Sequence, residues 1–157
     1  LLASSQKVPN THLHNLTQAI ANEGAPLIPL CTALEAKIAT LSPPQQEALL
    51  HQHNLLAPGL NTLIQTSYHF LHLITYFTAG PQEVRAWTIP QNTPAPQAAA
   101  TIHTDFHKGF IRAQVIKLAD YLHYQSEKAC KQAGKITLQG KKYIVQDGDI
   151  IHFICKT

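Results

Sequence analysis

Ten histidines, nine carboxylates and three cysteines are the residues of this 157-residue chain that could carry acid–base, metal or thiol chemistry. The tightest group is His103-x-Asp105-x-His107. On a helix, positions i and i+4 share a face, so both imidazoles could meet one cation. A zinc-type site needs a third strong ligand, and none stands beside this group, so the expectation is no metal. His12/His14, His51/His53 and His69/His72 read as polar helix or loop positions. Asp147-Gly148-Asp149 places two carboxylates at a spacing that acid–base chemistry could use. The same three residues suit a tight turn with Gly148 at positive φ, and the turn is the reading kept. Cys31, Cys130 and Cys155 are scattered and odd in number. They argue against a disulfide framework and fit a reducing, cytoplasmic setting. Cys31 reads as a small buried hydrophobe at a strand end rather than a redox thiol.

A different pattern points toward phosphates. Residues 1–80 carry two basic and three acidic side chains, net −1, whereas residues 81–157 carry ten and six, net +4. The second half is therefore the part suited to a polyanion. Arg85, Trp87, His103, Lys108, Arg112 and Lys117, with Lys135, Lys141 and Lys142, combine phosphate-attracting charges with an aromatic ring on which a base can stack. The competing reading packs Trp87 into a core and leaves the lysines solvated.

These residues must be held by elements that the pattern already outlines. Apolar residues make up 45% and charged residues 13%, enough for a buried core, and no run of about 18 apolar residues predicts a membrane span. The chain has no Met and starts at Leu1, which predicts a processed chain or part of a longer one. Helical spacing predicts helices over 10–24, 33–39, 42–53 and 60–75. The third has Ser42 as cap, Pro43 in its first turn and Gln45 to close a capping box. Residues 26–31 read as a short buried strand. Beyond residue 75 the periodicity turns to strands over 75–78 and 83–89. Helices follow over 97–103, 120–125 and 126–133, then strands over 136–138, 143–145 and 150–155. A small sheet crossed by helices makes an α+β unit.

Within that unit, Tyr76-Phe77-Thr78-Ala79-Gly80, Glu83-Val84-Arg85-Ala86-Trp87-Thr88-Ile89 and Ala95-Pro96-Gln97-Ala98-Ala99 resemble the YchF family of Obg-like ATPases. So do Ile102-His103-Thr104-Asp105-Phe106, Lys108-Gly109-Phe110-Ile111-Arg112-Ala113 and the run from Tyr143 through Asp147-Gly148-Asp149 to Ile151. Upstream, Glu23-Gly24, the stretch from Pro29 to Glu35, and Pro58-Gly59-Leu60 are similar to the same family. The resemblance implies a fold of class α+β, with three parts. Residues 1–40 would be the C-terminal remnant of a P-loop α/β nucleotide domain. Residues 41–71 would be a helical connector, and 72–155 a TGS domain with a ubiquitin-like β-grasp fold.

The resemblance also implies roles. Leu2, Cys31, Thr32 and Ala33 would stand near a nucleotide base if the rest of that domain were present. ATP and Mg would be the cofactors of the full-length family, with none bound by this chain. The partners would be the ribosome or ribosomal RNA and a missing N-terminal nucleotide domain, with no membrane. The departures matter equally. No G-x-x-x-x-G-K-[ST] loop exists here, and Leu1-Leu2-Ala3-Ser4 supplies no Asn-x-x-Glu base-reading element. Phosphoryl transfer needs phosphate cradling, a metal and a positioned water together, so no ATP hydrolysis is expected from this chain by itself. The expected function is a ribosome- or RNA-binding and regulatory module. The alternatives are part of a full ATPase whose N-terminal half is absent, and a remnant without a partner.

Overall fold

Capping chemistry sets the helix starts in the first part of the chain. The computed structural model describes residues 10–80 and 83–156, in two units, Leu1–Phe70 and Leu71–Thr157. In the first unit, α1 (Thr11–Ile20) begins where the Asn10 side chain accepts a bond of 3.1 Å from the Leu13 amide. Gly24, at φ +64°, closes the turn after it. Helices α2 (Thr32–Ala39), α3 (Pro43–Gln52) and α4 (Gly59–Phe70) follow. The expected capping box is present at α3, where the Ser42 amide donates to Gln45 Oε1 at 3.1 Å. Leu34, Ile38 and Leu49 form the small core of this unit, with Cys31, Leu41, Leu50 and Leu55 packed against it.

Two expectations fail here. Residues 26–31 are not a strand; they have no regular structure. Pro26 and Pro29 each lack an amide donor, which removes ladder bonds from a six-residue segment. Helix α4 stops at Phe70 rather than near residue 75. His72 takes the left-handed conformation at φ +53°, and the β-branched run that follows is already strand.

The second unit is an α+β domain built on one sheet. Strands β1 (Leu73–Ala79) and β2 (Val84–Pro90) form an antiparallel hairpin, with Tyr76 opposite Trp87. Then come α5 (Ala95–Ala100), α6 (Thr104–Gly109), β3 (Phe110–Lys117), α7 (Leu118–Tyr124), α8 (Glu127–Gln132), β4 (Thr137–Gln139) and β5 (Asp149–Cys155). The sheet order is β2-β1-β5-β3-β4. Strand β5 runs parallel to β1 and antiparallel to β3, and β3 is antiparallel to β4. This is β-grasp topology: the last strand enters the middle of the sheet beside the first. The core joins Ile74, Tyr76, Ile89, Val115 and Ile151 of the sheet to Ala95, Ala98 and Ala99 of α5. Three alanines on one helix face let that helix lie close to the sheet.

Strand β3, which lies between β5 and β4, was not among the expected strands. A register shift between Phe110 and Arg112 breaks the alternation, and Ile116 is buried out of phase with Val115. The expected helix over 97–103 is α5 followed by a separate α6, because His103 is extended (φ −156°) and caps the second helix. Residues 143–145 make only an isolated bridge, Ile144 with Pro94, not a strand.

Tyr76 ties helix to sheet. Its hydroxyl donates to the Ala98 carbonyl at 2.8 Å and shares a 3.0 Å bond with Thr101 Oγ1. Burial pushes the phenol up to about 12, with the Thr101 bond pulling the other way. A group whose pKa rises on folding stabilises the fold below its unfolded value and loses that contribution as pH climbs through the folded value. Stability of this unit should thus fall by about 2–3 kcal/mol between about pH 10 and 12 from this group. Urea titrations of Tyr76→Phe, which keeps the ring, should show a flatter alkaline limb; an unaltered limb would refute the assignment.

Candidate nucleic-acid interface

The β1–β2 hairpin, α6 and the end of β5 together position the residues that could meet a polyanion. Trp87 is half-buried against the core, and its indole N–H donates to Thr78 Oγ1 at 2.9 Å. Arg85, two residues away on the same strand face, lays its guanidinium 4.2 Å from the centre of the indole ring. Arg85 also lies 3.8 Å from Glu83, an exposed pair of little energetic consequence. A hollow of about 470 Å³ runs from Trp87 past Phe153 to Ile102 and Phe106. A second, of about 980 Å³, continues from Ile102 and Phe106 to Lys108, Cys155 and Lys156. The two share Ile102 and Phe106 and make one groove with an aromatic and aliphatic floor; Lys108, Lys156 and Asp105 line one end, and Glu83 lines the other, where Arg85 stacks on Trp87 from outside the lining.

Ring contacts brace that floor. Phe153 meets Tyr76 edge-on at 5.9 Å and Phe110 at 6.2 Å, and His103 tilts against Phe106 at 6.0 Å. Gly109 allows α6 to turn into β3 beside the end of β5: its carbonyl accepts from the Lys156 amide at 2.7 Å. That bond fixes where Lys156 stands.

The expected cations do not all gather here. Lys108 and His103 line the groove, and Trp87 lines its far end with Arg85 stacked on it from outside the lining. Arg112 is exposed on the opposite face of the sheet, since its neighbour Ala113 points into the core. Lys141 and Lys142 sit on the exposed turn after β4 and do not line the groove. Lys135 pairs with Asp120 at 3.1 Å. Lys117 is committed to Asp149, at 2.6 Å, and to the Tyr143 hydroxyl, at 3.1 Å.

Asp149 is fully buried, which the sequence did not reveal. Besides Lys117 it accepts from the Tyr143 hydroxyl at 2.6 Å and from the Gln146 amide at 2.9 Å. Burial, with the bond to Asp149 adding to it, raises the Tyr143 phenol. Burial alone would lower Lys117, but its bonds to Asp149 and Tyr143 outweigh that, and the net shift is upward. Asp147, by contrast, accepts from the Thr75 amide at 2.8 Å, and Gly148 takes φ +77°, as a turn requires. The two carboxylates of this motif serve the fold in different ways.

His103 and His107 are also engaged separately. Nδ1 of His103 accepts from the Asp105 amide at 3.2 Å, capping α6, while Nδ1 of His107 lies 3.1 Å from the Pro96 carbonyl. Among the described residues, no three His, Cys, Asp or Glu side chains are grouped to hold a metal.

In the first unit, Cys31, Thr32 and Ala33 form the start of α2 rather than a strand end. The Cys31 carbonyl accepts from the Leu34 and Glu35 amides at 3.0 Å each. Leu2, the other expected base contact, lies outside the described residues. One turn further on, the Glu35 carboxylate accepts from the Gly59 amide at 2.7 Å and from Leu60 at 3.4 Å. It therefore caps α4 from a distance of 24 residues along the chain. Glu35→Ala should cost about 1 kcal/mol and fray the first turn of α4. Hydrogen exchange at the Gly59 and Leu60 amides reads this directly; unaltered protection would contradict it. The sequence contains no G-x-x-x-x-G-K-[ST] loop.

Phe106, Phe153 and Lys156 carry no local signal in the sequence that would place them at this groove. Phe106 was visible inside the Ile-His-Thr-Asp-Phe block, but only the strand register brings it beside Phe153 and the end of β5.

The fold thus defines the class: a β-grasp domain of class α+β, preceded by a small helical unit. A family described as YchF-GTPase_C, Protein of unknown function (DUF933), matches residues 73–156, and the chain belongs to that family. It is 48% identical over 145 residues to the ribosome-binding ATPase YchF of Escherichia coli O157:H7, covering 92% of this chain and 40% of that protein. It is 43% identical over 144 residues to the protein of the same name from Bacillus subtilis (strain 168), covering 92% and 39%. The Schizosaccharomyces pombe YchF GTPase superposes with a TM-score of 0.80 at 37% identity, over 91% of this chain and 38% of that one. The chain therefore spans about 40% of the length of the relatives it matches. Among the described residues, no helix is long and apolar enough to cross a membrane.

Proposed function

We propose that this chain is a ribosome-docking module that contacts ribosomal RNA through its β-grasp unit. The observation that carries the reading is the groove that gathers Trp87, Phe106, Lys108 and Lys156 on one side of the sheet. The printed name of the bacterial relatives, ribosome-binding ATPase YchF, supports the same partner. In this reading residues 72–155 are a TGS domain, 41–71 a helical connector, and 1–40 the end of a nucleotide domain. Ribosome association would place the protein in the cytoplasm. Within the first unit, the apolar faces of α1 and α4 support a further protein partner. Leu16, Leu60 and Ile64 are 49%, 55% and 48% exposed, which suits contact with the remainder of a nucleotide domain.

The test is co-sedimentation with purified ribosomes. Lys108→Glu combined with Lys156→Glu should weaken binding about 10-fold or more, because each reversal removes a phosphate contact and adds repulsion. Lys141→Glu combined with Lys142→Glu should have a much smaller effect. Equal effects of the two pairs would count against the groove as the contact.

A second reading, participation in ATP hydrolysis, is favoured by the greater length and the ATPase name of the relatives. ATP and Mg would then be held by the full-length protein, with Cys31, Thr32 and Ala33 near the base. Titrating this chain with ATP and Mg separates the readings: the docking module gives no heat of binding, whereas saturable binding would favour the enzyme.

A further inference from the structure

The groove beside α6 is more selective than a basic surface needs to be. A surface that only attracts phosphate requires exposed lysines and arginines on a flat or convex face. Here most of the lining is aromatic or aliphatic; Lys108 and Lys156 stand at one end beside Asp105, and Arg85 stands on Trp87 just outside the other, where Glu83 lines the hollow. Phe106 is 36% exposed and Ile111 50%, so rings and methyls face solvent along the floor. At one end the Arg85 guanidinium rests on Trp87. At the other, the backbone bond from Lys156 to Gly109 holds a lysine close to Lys108.

We infer that this groove takes single-stranded RNA, with unpaired bases on Phe106 and on the Arg85–Trp87 stack and the intervening phosphates at Lys108 and Lys156. The inference rests on the ribosomal-RNA reading above and narrows it from RNA in general to unpaired RNA. Three physical points favour that occupant. Every base has a π-face, and stacking on aromatic rings or guanidinium planes is the recurrent way proteins hold unpaired bases. A duplex keeps its bases inside, so an aromatic floor would gain nothing from it, and its phosphates would be met better by the exposed cations elsewhere on the domain. An acidic peptide would match the lysines but not the rings. An extended peptide could join the sheet only along its edge strands, β2 or β4, by backbone bonds that would leave the aromatic floor unused.

The chain contains a single tryptophan, Trp87, so its own fluorescence reports occupancy of the groove. The experiment titrates the whole chain with a 12-nucleotide oligouridine, a 12-base-pair RNA duplex and poly-glutamate, each at several salt concentrations. Oligouridine should quench Trp87. Its log affinity should fall with log salt at a slope of about −1.4, as two phosphate contacts to a single strand require. The duplex should bind about 10-fold more weakly or without quenching, and poly-glutamate should not compete. Phe106→Ala should weaken oligouridine binding about 5-fold or more, in line with loss of one stacked base. Lys108→Glu, at an exposed site that leaves the core untouched, should do the same. The inference is overturned if the duplex binds as tightly as the single strand, if poly-glutamate competes, or if neither variant alters binding. Ribosome co-sedimentation separates the two levels. Ribosome binding retained with oligouridine binding absent removes only the single-strand assignment, whereas loss of both removes the RNA reading beneath it.

Discussion

Replacing Asp149 with alanine is expected to destabilise the β-grasp unit by about 3 kcal/mol, because a buried carboxylate that satisfies three donors disappears at once. Its partners come from three places: Lys117 at the end of β3, Tyr143 on the segment after β4, and the Gln146 amide in the turn before β5. The Lys117 side chain is 51% exposed, so its share of the loss is screened by solvent and the figure stays at the low end for a broken ion pair. Most of the cost comes from the Gln146 amide and the Tyr143 hydroxyl, which lose their acceptor in a confined space. Asp149→Asn keeps acceptor capacity and gives up the ion pair, so it should cost about half as much. Urea denaturation followed by Trp87 fluorescence reads this unit, because the chain's one tryptophan lies in it. A midpoint equal to wild type in Asp149→Ala would show that the three bonds are dispensable. The pH sign is also fixed. Lys117 and Tyr143 are both raised in the folded state, so their contribution is present below the ordinary lysine and tyrosine values and is lost as pH rises above them. The alkaline limb should therefore be flatter in Asp149→Ala as well.

The second large effect is expected at Gly109. A Cβ at this position would collide with the backbone carbonyl of Lys156 and lie 3.3 Å from its amide nitrogen. The obstruction is main chain, so no side-chain rotation relieves it. Gly109→Ala must push the end of β5 away from β3 and break the bond between the Lys156 amide and the Gly109 carbonyl. A cost of about 2 kcal/mol is expected, equivalent to roughly 10 °C in Tm for a unit of this size. The same displacement moves Lys156 out of the groove, so ribosome binding should weaken under conditions where the variant is still folded. Thermal melting and co-sedimentation of one preparation test both parts. An alanine variant with unaltered Tm and unaltered binding would contradict the geometry at this junction.

Local signals were legible in the sequence, and long-range ones were not. Ser42, Pro43 and Gln45 announced α3 because a capping box is written within four consecutive residues. The β1–β2 hairpin was visible in its β-branched and aromatic runs, and the blocks from Tyr76 to Ile151 carried the family resemblance that the comparisons bear out. Strand β3 was hidden because a register shift after Phe110 spoils its two-residue period. The same shift puts Arg112 on the face opposite Trp87, so a list of basic residues could not say which of them share a surface. Residues 26–31 looked like a strand by apolarity alone, while Pro26 and Pro29 withheld the donors that a strand needs. Asp149 read as a turn residue because its burial depends on Lys117, 32 positions earlier in the chain. The groove was half legible. Trp87, His103 and Lys108 were singled out by type, but Phe106 and Lys156 join them only through the packing of α6 beside β5.

Without nucleotide, this chain is expected to dock on ribosomes through phosphate contacts. The most direct measurement is co-sedimentation of the unmodified chain with purified ribosomes at 50 and 200 mM salt, with no ATP present. With two phosphates contacted, at Lys108 and Lys156, affinity should fall roughly 7- to 12-fold between the two conditions. The chain should therefore pellet at the lower salt and be released at the higher. A chain that stays in the supernatant at 50 mM salt, or pellets equally at both, would contradict the claim.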